Sequence, residues 1–163
     1  MQHVVTVLGQ ADTARIEAHL LRLTPRDRSL RFTAGLVTDE TIRGYVHGIR
    51  FDGDAVLAVV DGDRVVGLAH GCVYSALGEL RIEASFSVDE ARRNQGLGSS
   101  LMAAVDGFAH ERGARILLGM CLARNLAMRR IFERHGMTLT REDDEIHACR
   151  RVDAHSVPVT APA

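Results

Sequence analysis

Ten residues, Arg92–Leu101 (RRNQGLGSSL), have the clearest chemical meaning in this chain. A glycine turn with arginines at its entry leads into an amphipathic helix, in which apolar residues recur at helical spacing from Leu97 onward. Such a turn presents unpaired backbone N–H groups at the positive end of the helix dipole, an arrangement that binds phosphate. Gly96 and Gly98 allow positive φ and a close approach of a ligand to the backbone. We therefore expect a phosphate site at this turn.

Two common phosphate loops do not fit this string. The GxGxxG fingerprint would need a glycine where Leu101 stands, and no GxxxxGK followed by Ser or Thr occurs in the sequence. The string that remains is R-x-x-G-x-G, from Arg93 to Gly98, after a predicted strand Leu80–Val88. It resembles the signature of the GNAT superfamily of acyl-CoA N-acyltransferases. The resemblance implies that amides of this loop hold the pyrophosphate of coenzyme A; for these six residues alone, an ordinary strand-to-helix turn is the alternative.

A second block, Arg115–Met137, resembles the part of the GNAT signature that follows. It contains a short apolar run typical of a central strand, an asparagine, a helical pattern and a closing glycine, Gly136. In the family, an asparagine at the place of Asn125 binds the pantetheine arm. A plain helix N-cap is the alternative role for Asn125.

The resemblance implies which residues form the coenzyme A site. They belong to the end of the strand before the turn, to the turn itself and to the following helix: Phe86, Val88, Arg93, Asn94, Gln95, Gly96, Leu97, Gly98, Ser99 and Asn125. The backbone N–H at Val88 is expected to polarise the thioester carbonyl. Arg92, Arg129 and Arg130 are candidates for the 3′-phosphate.

Glu83 is the candidate catalytic base. It lies in the middle of the strand before the turn, among small residues, where partial desolvation would suit a general base. The segment Leu23–Ile42, with its LRF string, resembles bacterial protein lysine acetyltransferases, which carry a Glu at this place. Glu79, at the start of the same strand, is the reserve candidate. The alternative is that Glu83 faces solvent or pairs with Arg81.

One position departs from the family pattern. Many members place a tyrosine seven residues after the asparagine to protonate the leaving thiolate, and this chain has Phe132 there. Tyr74 is a speculative substitute, and a free thiol pKa of about 8.5 also makes unassisted departure of the thiolate tolerable. Cys121 would imply a ping-pong reaction if it were a nucleophile, but we expect a buried, inert thiol.

Composition excludes several classes of function. The 163 residues carry 20 basic and 21 acidic side chains, a net charge of −1, with no block of five like charges and no basic patch rich in aromatic residues, so nucleic acid is not expected as a partner. No apolar run approaches a membrane span, and no spacing of metal ligands occurs. Three cysteines without a CxxC pair, and no signal peptide, predict a cytoplasmic protein.

The order of the predicted strands and helices indicates the fold class. Apolar periodicities give βααβββαβαββ, with helices at Ala11–Leu23 and Thr38–Ile49 before a hairpin about Asp61–Asp63. This order resembles the GNAT fold, an α/β (α+β) fold with a mixed, mostly antiparallel sheet of six to seven strands and helices on both faces. We expect one domain over residues 1–153, a flexible tail over 154–163 and a monomer or homodimer.

The predicted function is transfer of an acetyl group from acetyl-CoA to a primary amine, with a protein lysine as the favoured acceptor. Two alternatives stay open at this stage. The acceptor is a small amine in the first, and the chain is a non-catalytic acyl-CoA sensor in the second, which the missing tyrosine favours. No metal is expected.

Overall fold

The computed structural model describes residues 3–153, and the predicted flexible tail at 154–163 lies outside them. The elements in chain order are β1 (Thr6–Val7), α1 (Thr13–Leu21), α2 (Pro25–Phe32), α3 (Asp39–His47), β2 (Ala55–Asp61), β3 (Arg64–Ala76), β4 (Glu79–Val88), α4 (Leu97–Glu111), β5 (Ile116–Leu122), α5 (Leu126–Arg134), β6 (Thr138–Glu142) and β7 (Glu145–Arg151). Short 3₁₀ turns at Gln10–Asp12 and Glu90–Arg92 precede α1 and the turn that starts α4.

The seven strands form one sheet in the order β1-β2-β3-β4-β5-β7-β6. All neighbouring pairs are antiparallel except β4 and β5, which run parallel. The sheet is therefore mixed and mostly antiparallel, with helices on both faces, which confirms the predicted fold class. β1 is shorter than the predicted strand, because only Thr6 and Val7 pair with β2.

The core has two layers, one on each face of the sheet. Apolar side chains of α4 and α5 pack with one face, where Leu101, Val105 and Phe132 are almost fully buried. Those of α1 and α3 pack with the other face, around Ile16 and Ile42. The sheet is thus held between helices, while its parallel junction lies near the middle.

Helix α2 was missing from the predicted order. The predicted first helix ends at Leu23, just before Thr24-Pro25, but Pro25 occupies the first position of a new helix. Thr24 caps this helix, with its Oγ accepting a hydrogen bond from the Asp27 N–H at 3.2 Å. Proline suits this position because its missing N–H would have no helical partner there. The correction matters because α2 lies against β4 and β5.

The parallel strands β4 and β5 separate after only four paired residues. Their register runs from Arg81↔Ile116 to Ala84↔Gly119, and the residues of β4 after Ala84 and of β5 after Gly119 have no partner across the gap. Phe132 of α5 packs at this point: a Cβ on Gly119 would lie 2.6 Å from the Phe132 ring. The ring therefore occupies the space that a side chain at 119 would need.

None of the helices in the described part of the chain combines the length and the apolar character that a membrane span requires.

Candidate active site

A cavity of about 720 Å³ opens where β4 and β5 separate. Its walls come from the ends of both strands, from α2, from the turn before α4 and from the first part of α5. A volume of this size is typical of sites for small organic ligands. Nine of the ten residues predicted to bind the cofactor line it, and the exception is Gln95. The Gln95 side chain instead contacts Arg92 and the Ala91 carbonyl.

One end of the cavity is the glycine turn. Gly96 is the N-cap of α4 with φ 85°, and Asn94 also has positive φ, at 59°. The first helical hydrogen bond runs from the Ser100 N–H to the Gly96 carbonyl. Within residues 3–153, the backbone N–H groups of Leu97, Gly98 and Ser99 have no acceptor, and no side chain caps the helix. This end therefore offers several free amides to an anion.

Gly98 also allows the turn to pack closely against α5. A Cβ at this position would lie 2.7 Å from Cδ1 of Ile131. Glycine at 98 thus brings the amides of α4 next to the wall formed by α5.

The cavity carries a strong positive charge. Seven arginines and a single acid, Asp27, contribute to its lining: Arg26, Arg31, Arg92, Arg93, Arg124, Arg130 and Arg134. Two of these are paired, Arg93 with Asp27 at 2.8 Å and Arg92 with Asp61 at 2.7 Å. Arg129, a predicted phosphate ligand, does not line the cavity and donates to the Ala123 carbonyl. The excess of cations suits a ligand with several phosphates.

Unpaired backbone of β4 forms the middle of the cavity wall. The Asp89 N–H donates to the Val66 carbonyl on the β3 side at 2.8 Å. Because backbone groups alternate in direction along a strand, those of Phe86 and Val88 point the other way, into the gap beside β5. This placement agrees with the predicted role of the Val88 N–H.

Asn125 stands on the opposite wall and caps α5. Its Oδ1 accepts a hydrogen bond from the Met128 N–H at 3.2 Å, so the N-cap role is present. Asn125 also lines the cavity, and its side-chain NH₂ remains as a donor. The two roles considered for this residue are therefore compatible.

A buried ion cluster fixes the end of β4 just before the turn. Asp89 lies 2.8 Å from Arg64 and 3.1 Å from His19, and Arg22 is also within contact distance. Burial opposes ionisation, but hydrogen bonds from His19 and Arg64 outweigh it and lower the Asp89 pKa from 3.8 to about 2. The carboxylate is thus charged at neutral pH and holds three basic side chains from α1 and β3.

Glu83 lies just outside the cavity. It shares a sheet face with Ser85, which does line the cavity, two residues further along β4. The expected desolvation of Glu83 is wrong, since its side chain is exposed. Glu79 is farther from the cavity and is paired with Arg81 and Arg151.

Two further candidates take clearer roles. Cys121 lines the cavity, but burial raises the pKa of its thiol to about 11, so it is protonated and a poor nucleophile at neutral pH. Tyr74 lies opposite Arg81 on the Glu83 face and does not line the cavity. Burial and then the nearby Glu83 raise the Tyr74 pKa.

Sequence reasoning missed a hydrogen-bonded chain beside the gap. Arg31 on α2 donates to the Tyr45 hydroxyl at 2.7 Å, Tyr45 bonds to Nδ1 of His70, and Nε2 of His70 lies 3.1 Å from Asp54. These residues come from α2, α3, β3 and the loop before β2. Their separation in sequence leaves no spacing signal that could have grouped them.

The described residues contain no candidate metal site. Among the residues that the structure describes, no group of three or more His, Cys, Asp or Glu side chains could hold a metal ion.

Comparison with known proteins gives one family. The model of the acetyltransferase (GNAT) family matches residues 23–137, a stretch that includes both blocks described above. No curated protein matches the chain.

Solved structures with this fold are numerous. The GNAT domain of PAT from S. lividans is 21% identical, with a TM-score of 0.76, over 90% of this chain and 89% of that one. A putative acetyltransferase from Salmonella typhimurium, solved with its cofactor acetyl-CoA, is 18% identical over 97% and 98%, with a TM-score of 0.69. RimL, a ribosomal alpha-N-protein acetyltransferase in complex with coenzyme A, is 15% identical over 93% and 94%, with a TM-score of 0.68. These similarities show a shared fold.

Proposed function

The chain belongs to the acetyltransferase (GNAT) family, and on that premise we propose that it transfers an acetyl group from acetyl-CoA directly to a primary amine. The observation that carries the proposal is the course of the cavity. It begins at the free amides of α4, follows the unpaired edges of β4 and β5, and ends beside the sheet face that bears Glu83.

Successive regions of the cavity match successive chemical groups of acetyl-CoA. The amides of Leu97–Ser99 would hold the pyrophosphate at the helix N-terminus. The free backbone groups of Phe86 and Val88 and the NH₂ of Asn125 would bind the amide groups of the pantetheine arm. The cations Arg130 and Arg134, one turn apart on α5, are placed to meet a further phosphate. The structural relative from Salmonella typhimurium was solved with acetyl-CoA, which supports this ligand.

The reaction needs a neutral amine and a polarised thioester. The nitrogen lone pair attacks the carbonyl carbon, a C–N bond forms, and the C–S bond breaks with its electron pair passing to sulfur. The proton of the amine passes to Glu83 or to water that Glu83 orients. A free backbone N–H at the end of β4 stabilises the oxyanion, and binding both substrates together supplies proximity. The protonated Cys121 thiol favours direct transfer over an acyl-enzyme.

We favour the side-chain amine of a protein lysine as the acceptor. Glu83 is exposed on an open part of the sheet, next to Leu118 of β5 and, one strand further, the exposed Cys149 of β7. A base in that position can be reached by a lysine carried on a large partner. The resemblance of Leu30–Phe32 to protein lysine acetyltransferases supports the same choice. The relative RimL is a protein acetyltransferase, although it modifies alpha-amino groups.

The sequence makes this acceptor easy to test. All twenty of its basic Lys or Arg positions are arginine, so the chain has no lysine of its own to acetylate. Acetyl-lysine detected after incubation with acetyl-CoA and a cell extract must therefore lie on another protein. We expect labelled acceptor proteins together with release of free thiol. Thiol release with small amines but not with proteins would favour the small-amine alternative, and acetyl-CoA binding without turnover on any amine would favour a sensor.

The role of Glu83 is tested by Glu83→Gln, with Glu79→Gln as the control on the same strand. We expect Glu83→Gln to lower kcat about 100-fold near neutral pH, with a smaller loss at high pH where more amine is neutral. Glu79→Gln should retain kcat, because Glu79 pairs with arginines away from the cavity. Full kcat for Glu83→Gln from about pH 6 to 9 would show that the base assignment is wrong.

A further inference from the structure

Arg31 has an unusual combination of contacts for a surface arginine. It lines the cavity and donates to the Tyr45 hydroxyl, and its guanidinium lies over the rings of Phe32 and Tyr45 at 4.9 and 5.2 Å. No carboxylate within residues 3–153 forms an ion pair with it. Its Nε is buried and has no hydrogen-bond partner in the same residues. Its charge therefore remains available to a ligand.

The position of Arg31 identifies which part of the ligand it would meet. At the start of α2, Asp27 pairs with Arg93 of the phosphate turn, and Arg31 lies one helical turn further along. Tyr45, which accepts its hydrogen bond, contacts His70, and His70 pairs in the sheet with Ser85. Ser85 is the first residue of β4 beyond the last pair with β5. Arg31 is thus at the end of the cavity where β4 and β5 begin to separate, away from the phosphate turn.

The leaving sulfur lacks the tyrosine that the family usually places near it. Phe132 holds that position, is 1% exposed, and its ring points at Gly119. Phenylalanine has no hydroxyl, so this position supplies no proton to the sulfur. The departure of sulfur is therefore either unassisted or assisted by a group other than residue 132.

We propose that the Arg31 guanidinium stabilises the coenzyme A thiolate as it leaves, and that Tyr45, His70 and Asp54 hold the guanidinium in place. This inference rests on the proposed acetyl transfer. When the C–S bond breaks, the electron pair stays on sulfur and the cation balances the new negative charge. No proton passes from Arg31, since a guanidinium stays protonated in proteins. The thiolate later takes its proton from water. Arg31 is the catalytic residue here, and the other three are positioning residues.

The hydrogen bonds that link Asp54, His70, Tyr45 and Arg31 have directions that suit the positioning of the guanidinium. Burial lowers the pKa of His70, so its ring is neutral at neutral pH. Burial opposes ionisation of Asp54, but hydrogen bonds from the Val73 N–H and from His70 outweigh it and lower the Asp54 pKa. A neutral His70 that donates from Nε2 to Asp54 must accept at Nδ1. The Tyr45 hydroxyl then donates to His70, and its oxygen stays free to accept from Arg31.

Two other arginines and one carboxylate lie near this end of the cavity. Arg124 donates to the Ser29 hydroxyl at 3.4 Å. Arg50 pairs with Asp54 at 2.8 Å, at the opposite end of the hydrogen-bonded series from Arg31. Glu83, on the same sheet face, is exposed to solvent. A thiolate near Arg31 would therefore find an uncompensated cation, which favours the charged form of the thiol.

The first experiment measures the thiol of bound coenzyme A without turnover. The affinities of coenzyme A and of desulfo-coenzyme A, which lacks the thiol, are compared by calorimetry from about pH 6 to 9. In the wild type we expect the bound thiol to ionise about one pH unit below the free thiol. Arg31→Gln should remove this shift, and Tyr45→Phe should reduce it. Arg134→Gln, a cavity arginine on α5, should weaken both ligands equally and leave the shift unchanged.

The second experiment measures turnover. Arg31→Gln should lower kcat at least tenfold with less than a threefold change in KM for acetyl-CoA, and Arg31→Lys should restore part of the loss. Unchanged ionisation of the bound thiol in Arg31→Gln, or unchanged kcat, would overturn the inference. If Arg31→Gln does not fold, Tyr45→Phe, which keeps the ring, carries the same test. A wild type that fails to bind coenzyme A would instead overturn the proposed function.

Discussion

The two ends of the cavity are built in different ways. At the proposed phosphate end, free main-chain amides of consecutive residues would bind the ligand, and glycines allow the backbone to adopt the turn. At the other end, side chains from four separate elements meet around Arg31 and Tyr45. One end therefore depends on local backbone geometry, while the other depends on the packing of α2 and α3 against the sheet.

Each end also relies on one buried carboxylate. Asp89 holds basic groups of α1 and β3 below the phosphate turn, and Asp54 holds His70 and Arg50 at the other end. The difference is that Asp89 supports backbone, whereas Asp54 supports a side chain. The proposed ligand would thus be held by two kinds of preorganisation, and the following predictions test each of them.

The largest expected effect is at Asp89. Asp89→Asn removes the charge that three basic side chains share and should lower the free energy of unfolding by about 3 kcal/mol. Because the cluster supports the turn, affinity for coenzyme A should fall as well. Denaturant unfolding and calorimetry measure the two effects. Asp61→Asn is the control, since its exposed pair with Arg92 should contribute at most about 1 kcal/mol.

Lowering the pH should remove the contribution of the Asp89 carboxylate to stability without any mutation. The Asp89 pKa is lower in the folded chain, so its stabilisation is complete above the ordinary value of 3.8 and is lost as the pH falls toward about 2. A shift of this size corresponds to about 2 kcal/mol. Unfolding measured over this pH range should show that loss in the wild type and a smaller one in Asp89→Asn. Equal acid sensitivity of the two proteins would contradict the role of Asp89.

Substitutions at Ser99 distinguish the contribution of its backbone N–H to coenzyme A binding from that of its hydroxyl. Ser99→Pro removes one N–H in the first helical turn, where proline is tolerated, and should weaken coenzyme A binding about tenfold. Ser99→Ala keeps the N–H and should bind within about threefold of the wild type. If the alanine variant were the weaker binder, the hydroxyl rather than the amide would hold the ligand, and the contrast between the two ends would disappear.

The smallest expected effect is at Phe132. Phe132→Tyr introduces the family's tyrosine into a buried, closely packed position, where the added hydroxyl should cost about 1 kcal/mol of stability without raising kcat. Phe108→Tyr, on the partly exposed side of α4, should be close to neutral. A faster Phe132→Tyr enzyme would show that the cavity can use a tyrosine acid and would make a catalytic Arg31 unnecessary.

The same contrast explains what the sequence could predict. The glycine turn before α4 and the Asn125 N-cap have local sequence signals, because their geometry depends on neighbouring residues, and the sheet order follows from local periodicities and one hairpin turn. Helix α2 was missed because Thr24-Pro25 ends one helix and begins the next within two residues.

The group around Arg31 had no such local signal. Tyr45 and His70 are 25 residues apart and meet only when α3 packs on the sheet. The exposure of Glu83 was likewise not predictable, because it depends on which elements pack over β4 in the folded chain. Sequence patterns therefore predict backbone sites better than sites assembled by tertiary packing.

Within residues 3–153, the sheet joins its first four strands to its last three through four residue pairs between β4 and β5 and through the hydrogen bond from the Arg115 N–H to the Leu80 carbonyl beside them. Beyond that short ladder, the two halves face each other across open space. A molecule lying in the opening would touch both halves and act as a bridge between them. Substrate occupancy is then coupled to the cohesion of the whole fold, and cells rich in acyl donor would hold this protein in its more rigid form.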